Sequence, residues 1–335
     1  MSLKELKSIE KGNFRITPNR RNIWFLSSLL VGVSLIGLLL SYFNPSIGYP
    51  LRPGLDFTGG TQIKVDRICQ DECLPLQDLK ITQVLSELDL DNGDNSQKIN
   101  LSGSRVQLLD RGRSLVIRTP YLNPSQAKIV INSIQPLVGS YKKDSQSVDT
   151  IGPTLGAQLL RSSLISLVVA FSGIAFYINL RYDRTFALLA LVSLAHDIFI
   201  VCGVFAWLGI FFSVEVDSLF AVSLLTIAGY SVNDTVVVFD RIREQRLINN
   251  LDPFSLKIDK AVSATLTRTL YTSGTTLLPL IALIFFGGST LYWFSIALAI
   301  GVVVGSWSSI ALAPALLSLK EPLIKKESYS EENSD

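Results

Sequence analysis

Six apolar runs, each about as long as the 20 residues an α-helix needs to cross a bilayer, constrain this 335-residue chain more than any other feature. They occupy residues 23–43, 159–180, 186–210, 219–239, 266–286 and 291–319. In hydrocarbon every backbone N–H and C=O must be satisfied within the protein, so runs of this length fold as helices. Pro314 bends or ends the last run, which is long. Composition agrees, with 48% hydrophobic and 17% charged residues, against about 25% charged in soluble domains. The first run is too long for the h-region of a signal peptide. It follows a largely polar arm, and no small-x-small cleavage site comes after it, so it reads as a retained helix. The net charge of +2 leaves no footprint for a nucleic-acid partner.

Basic residues near the helix ends set the orientation. The N-terminal arm carries Lys4, Lys7, Lys11, Arg15, Arg20 and Arg21, and the second-to-third connection carries Arg181 and Arg184. The fourth-to-fifth connection carries Arg241, Arg243, Arg246, Lys257 and Lys260, and the tail Lys320, Lys325 and Lys326. The alternate short connections, 211–218 and 287–290, carry none, and Arg161 at the outer end of helix two is the one exception. Both termini are therefore expected in the cytoplasm. The expected division is a cytoplasmic arm 1–22, helix one 23–43, an extracytoplasmic domain 44–158, helices two to six within 159–319, and a cytoplasmic tail 320–335.

The segment 44–158 is long enough to fold by itself. Residues 61–68 alternate, with Ile63 and Val65 against Lys64 and Asp66, and read as a strand. Residues 74–88 carry apolar positions at helical spacing. Residues 105–109 and 114–118 flank Asp-Arg-Gly-Arg, a hairpin signal. Residues 123–135 read as a second helix, with Pro124 in its first turn and Pro136 ending it. Residues 141–148 form a last strand, and 89–97 is an acidic, Asn-rich connection. The order β-α-β-β-α-β is the split pattern of ferredoxin-like domains. The fold class is thus an α-helical polytopic membrane protein of six spans, with an α+β ferredoxin-like domain between helices one and two. Cys69 and Cys73 straddle Gln-Asp-Glu. An oxidising compartment permits a disulfide there, while the tight spacing argues for free thiols, and both readings stand. Zinc lacks further ligands.

Asp234 lies inside the fourth run, in GYSVNDTVVVFDRIRE at 229–244. An ionisable group at the centre of a spanning helix costs roughly 3 kcal/mol or more and marks a protein interior or a polar path. Asp240 lies six positions beyond Asp234, or about 9 Å of rise, and Arg268 eight beyond Lys260, or about 12 Å. Asp234 and Arg268 therefore reach similar depth. An arginine beside an aspartate favours the charged carboxylate and burial opposes it, so one proton can make or break the pair. Arg268 also sits near enough to the start of its run to snorkel to the surface. Asn233 is placed to hydrogen-bond Asp234 or a neighbouring helix. Thr272, Thr276 and Pro279 continue the Arg268 face. His196-Asp197, midway along helix three, reads either as part of a proton relay or as a helix–helix hydrogen-bonding pair. Cys202 reads as a small buried hydrophobe. Asp240, Arg241, Arg243 and Glu244 read as a solvated cluster that fixes topology. Gly301 and Gly305 form a small-xxx-small pattern for close helix approach.

The motif LDFTGGTQIKV at 55–65 lacks the Lys-Ser/Thr of a phosphate loop. It reads as a bend at Gly59-Gly60, with Asp56 a cap or turn acceptor, and nothing in the sequence calls for a cofactor. It resembles the Asp-Phe-x-Gly-Gly signature of the SecF family. The run from Gly229 resembles that family's fourth-helix signature, and TRTLYTS at 267–273 its fifth-helix segment. The six-helix layout is similar too, and the resemblance covers nearly the whole chain. It places the chain with the SecD/SecF proteins of the resistance-nodulation-division superfamily. It implies a subunit of the bacterial plasma membrane, driven by the proton motive force. It further implies pairing with SecD and action on unfolded polypeptides at the SecYEG channel, with proton-pathway roles for Asp234 and Arg268. The residues can also be read as two other classes. An intramembrane aspartyl protease built on Asp197 and Asp234 needs two carboxylates sharing a proton, but these are offset in depth and Gly-x-Gly-Asp is absent. A small-molecule exporter of the same superfamily resembles a doubled version of this layout.

Overall fold

The computed structural model describes residues 15–68, 78–88, 90, 99–101, 104–109, 113–139, 141, 146–248 and 252–320. The expectations for Cys69 and Cys73, for most of the connection 89–97, for the hairpin tip 110–112 and for the tail beyond residue 320 lie outside these. In chain order the elements are α1 (Arg20–Phe43), β1 (Gly60–Asp66), α2 (Asp78–Glu87), β2 (Arg105–Leu109) and β3 (Ser114–Thr119). They continue with α3 (Pro124–Val138), β4 (Ser147–Ile151), α4 (Pro153–Arg181), α5 (Arg184–Phe212) and α6 (Ser218–Ile248). The last are α7 (Phe254–Phe286), α8 (Gly288–Trp307), a π-helical turn (Ser308–Leu312) and α9 (Ala313–Leu317). Among the described residues, six stretches are long and apolar enough to span a membrane: Thr17–Phe43, Pro153–Arg181, Arg184–Phe212, Ser218–Ile248, Phe254–Phe286 and Leu291–Leu317. The chain is a multi-pass membrane protein. It packs as two units, Pro53–Leu164 and the remainder. Hydropathy alone puts the divisions at 43/44 and 158/159.

In the helical unit α5, α6 and the α8–α9 run are the most buried spans, and α4 is the least. Helix α1 packs on α5, α7 on α6 and α8, and α8 on α6. Lipid offers no hydrophobic drive between helices, so close approach rests on small residues and hydrogen bonds. A Cβ on Gly203 of α5 would run into Ser34 of α1, and one on Gly37 of α1 would meet the Trp207 indole. The indole Nε1 donates to Val33 O at 3.0 Å. Two polar ties close the ends of this unit. The Asp259 carboxylate accepts from the Ile16 and Thr17 N–H groups at 2.9 and 3.0 Å, holding the single 3₁₀ turn before α1 against the start of α7. Arg52 donates to Ser213 Oγ at 2.8 Å and accepts from the Val216 N–H at 2.9 Å, fastening the chain after α1 to the α5–α6 connection. Pro314 does not end the last span. Its ring crowds the carbonyl four residues earlier, at Ile310, and the distortion appears there as the π-helical turn before α9 resumes.

The second unit carries a four-stranded antiparallel sheet in the order β2-β3-β1-β4, which is the ferredoxin-like arrangement of a β-α-β-β-α-β chain. Ile63, Val65, Leu115 and Ile117 from the sheet pack on Ile81 and Leu85 of α2 and on Val130, Ile131 and Ile134 of α3. Asn123 and Gln126 cap α3 reciprocally, at 2.8 and 2.9 Å. Pro136 lies inside α3 rather than ending it. In the last turn its missing N–H costs one bond, and Gly139, with φ at +80°, terminates the helix. The last strand is Ser147–Ile151, shifted from the expected 141–148. Tyr141 makes only an isolated bridge to Arg67, while Val148 pairs with Ile63. Gly59 and Gly60 have φ of +68° and +123°, and a Cβ on Gly60 would lie 2.6 Å from Thr119 O. Asp56 sits in the first turn of the short helix Leu55–Thr58, whose N-cap is Gly54. Gly60→Ala combines an unfavourable backbone conformation with a clash against β3. It should destabilise this unit by about 1–3 kcal/mol, read as earlier thermal unfolding and faster proteolysis between α1 and α4.

Candidate functional site

The helices α6, α7 and α8 meet along a seam of hydroxyls, with one buried carboxylate on α6, Asp234, and another on α5, Asp197. Tyr230 OH donates to Ser273 Oγ at 3.0 Å, and Ser273 in turn hydrogen-bonds Ser306. Thr235 Oγ1 lies 2.9 Å from Ser309 Oγ. Hydroxyls of this kind are the usual adhesive between spanning helices. Gly301 faces Ile227, and Gly305 lies so close to α6 that a Cβ there would sit 3.2 Å from Ser231 Cβ and 3.6 Å from Asp197 Oδ2. The small-xxx-small pair therefore lets α8 approach α6 at the level of the carboxylates.

Asp234 is 5% exposed. Its Oδ2 is buried and takes no hydrogen bond from any described residue. Arg268, on the neighbouring α7, is near enough for its charge to act on Asp234. Arg268 lies on the exposed side of α7, and Asn233 on the exposed side of α6. The hydroxyls of Thr272 and Thr276 donate to their own helix, to Thr269 O at 3.0 Å and Thr272 O at 2.8 Å. Gly229, one turn before Asn233, has open space where a Cβ would stand.

Asp197 is the opposite case. It is fully buried, with His196 Nδ1 2.9 Å from Oδ1. Its Oδ2 accepts from Ser231 Oγ at 2.6 Å and Ser308 Oγ at 2.7 Å. These contacts tie α5 to α6 and to the π-helical turn. The carboxylates of Asp197 and Asp234 share no hydrogen bond, so the arrangement is not a proton-sharing dyad. Ser231, Ser308 and Ser309 were missed in the sequence. The only signal was a cluster of serines, Ser306, Ser308 and Ser309, inside an otherwise apolar run.

At the far end of α6, Asp240 is not merely solvated. Arg181 Nη2 donates to its carboxylate at 3.2 and 3.3 Å, and Tyr182 OH donates to it at 3.0 Å and lies 3.1 Å from Val236 O. Burial, aided by the Asp240 carboxylate, pushes the Tyr182 phenol well above its ordinary range, so it remains a donor. The Arg181–Asp240 pair is almost half exposed and contributes at most about 1 kcal/mol. Arg241 pairs with Glu244 on the same helix, and Arg243 is exposed.

Comparison with known proteins gives a consistent result. Residues 131–321 match the family described as protein export membrane protein SecD/SecF, C-terminal, and residues 46–66 match the SecD/SecF GG motif. The protein translocase subunit SecF of Prochlorococcus marinus is 59% identical over 311 residues, covering 93% of this chain and 96% of that one. The SecF subunit of a Synechocystis species is 38% identical over 295 residues, or 88% and 90% of the two chains. The crystal structure of SecDF from Thermus thermophilus, a translocon-associated membrane protein, superposes with a TM-score of 0.74 at 28% identity. It matches 92% of this chain, which spans 39% of the SecDF chain.

Replacing Gly301 by Leu should wedge α8 away from Ile227 and cost about 1–3 kcal/mol. Unfolding in mild detergent should then begin at a lower temperature than in the wild type.

Proposed function

The chain belongs to the SecD/SecF family of protein-export membrane proteins, and from that premise we propose that it is the SecF subunit of a Sec translocase. In this reading it works with SecD, uses the proton motive force and promotes passage of unfolded polypeptides through the SecYEG channel. Relatives named protein translocase subunit SecF, aligned over nearly their whole length, support the Sec role. A SecDF relative from Thermus thermophilus, 42% identical over 170 residues that make up 22% of its length, supports a SecD partner. The basic connections all fall on one side of the six spans, which supports a bacterial plasma-membrane protein with both termini in the cytoplasm and Pro53–Leu164 outside.

The observation that carries the proton-driven part is Asp234. It is a buried carboxyl with one oxygen unmet by the described residues and an arginine within electrostatic reach on the adjoining helix. When ionised, the carboxylate attracts Arg268 and draws α7 toward α6. When protonated, it is neutral and releases that attraction. Two packings of α6 and α7 then follow proton loading, and a gradient that loads Asp234 from one side and unloads it to the other drives the cycle. Asn233 and the α7 threonines line the path by which the proton arrives. A subunit of this kind transfers no covalent group, so its residues act by holding charge and shape.

Asp234→Asn should abolish proton-driven stimulation of export while leaving membrane insertion and association with SecD intact. Export of a preprotein into inverted membrane vesicles, with the gradient clamped on or off, reads this directly, and wild-type stimulation in the variant contradicts the role. Arg268→Lys keeps the charge but replaces a planar fork by a compact ammonium. It should depress the driven rate in the same vesicles without abolishing it, whereas an unchanged rate would leave only a charge requirement.

A further inference from the structure

The hydrogen bonds around Asp197 leave one atom unaccounted for. The carboxylate accepts from Ser231 and Ser308 at Oδ2, as an ionised carboxylate does. His196 Nδ1 lies 2.9 Å from Oδ1, and against an ionised carboxylate only the tautomer with its hydrogen on Nδ1 makes that hydrogen bond. A neutral imidazole that donates through Nδ1 keeps its lone pair on Nε2. That nitrogen is buried and has no hydrogen-bond partner among the described residues, on a residue that is 7% exposed. With His196 neutral, the site holds a lone negative charge inside a spanning helix, which is costly. One proton on Nε2 converts it to a neutral imidazolium–carboxylate pair and breaks none of the existing hydrogen bonds.

Few other charges face this pair from the elements packed on α5. The run from α8 through the π-helical turn to α9 carries none, and α1 carries only Arg20 and Arg21 at its first two positions. On α6 the nearest is Asp234, three positions beyond Ser231, and the charges from Asp240 onward lie further along. On α5 itself the only other charge is Arg184, at its first position.

We propose that His196 Nε2 is a second proton-binding position, separate from Asp234 and coupled to it through the serines that bridge α5, α6 and the π-helical turn. The proposal rests on the reading of this chain as proton-driven. A proton that adds to Nε2 balances the charge on Asp197 and slackens its hold on the two hydroxyls. Ser308 has one hydrogen and a second acceptor ready, Gly305 O at 3.0 Å. Ser309, next to it, bonds Thr235, the residue after Asp234, and lies 3.4 Å from Ser231 O. A π-helical turn is a common functional irregularity in a helix, and here it carries Ser308, which bonds Asp197, and Ser309, which bonds the residue after Asp234. The proton leaves from the same nitrogen, so the cycle returns the imidazole unchanged.

The chain has one histidine, so ring-¹⁵N labelling of the full chain in lipid vesicles, purified without a histidine tag, reports His196 alone. As the pH is lowered stepwise from about 8 to about 5, the Nε2 resonance should pass from unprotonated to protonated while Nδ1 keeps its hydrogen bond. An Nε2 that holds one state throughout overturns the proposal. In Asp234→Asn the midpoint should shift, and an unchanged midpoint overturns the coupling. His196→Asn keeps an N–H donor at the position of Nδ1 and removes Nε2. If the histidine only braces Asp197, Asn rescues it and the pH profile of driven export stays that of the wild type, which also overturns the proposal. The expected result is a flattened profile. The ring-nitrogen titration involves no export, so its failure is distinct from failure of the proton-driven reading, which the Asp234→Asn export assay judges.

Discussion

Water is missing from the hydrocarbon of a bilayer, so each polar group carried into it must be met within the protein or held neutral. The helical unit is organised around that demand. Its backbone is met by helices, and many of its hydroxyls are met by their own carbonyls or by one another across α6, α7, α8 and the π-helical turn. Asp197 is met by His196, Ser231 and Ser308. Asp234, on the same seam, is left with an unmet oxygen and an arginine nearby. A titratable group whose partners are incomplete is one whose charge state matters most to the packing around it, and among the described residues of this unit Asp234 and His196 are such groups.

The seam depends on close approach as much as on polarity. Gly301 and Gly305 let α8 lie against Ile227 and Ser231, which brings Ser308 and Ser309 within reach of α5 and α6. Pro314 contributes by the opposite route. Its ring displaces the helix one turn earlier, and the resulting π-helical turn is what presents Ser308 to Asp197. At the two ends of the unit, Asp259 holds the turn before α1 and Arg52 holds the chain after it. The elements that carry the carboxylates are thus fastened to the segments that enter and leave α1.

Much of this was legible in the chain itself. Six spans could be read because hydropathy accumulates over about 20 residues and outweighs local ambiguity. The β-α-β-β-α-β order of elements followed from alternation, helical spacing and turn residues. The last strand was misplaced because Ser147–Ile151 is largely exposed, so burial leaves no clear alternation in its residues. Pro136 was read as a stop because proline interrupts helices in general, whereas a last turn tolerates it. Asp234 and Arg268 stood out because charge in an apolar run is costly. The partners of Asp197 did not, because serine is nearly neutral in hydropathy and its donors come from elements 34 and 111 positions away. The Arg181–Tyr182–Asp240 contacts were hidden for the same reason, since they join helices that sequence treats separately.

The central claim is that Asp234 gains and loses a proton while the gradient runs, and vibrational spectroscopy of the carboxyl group tests it most directly. The account predicts that infrared difference spectra of the membrane-embedded protein, recorded as pH is changed across the working range, contain a protonated-carboxyl band that vanishes in Asp234→Asn. Identical spectra for wild type and Asp234→Asn, with no such band at any pH, would contradict it.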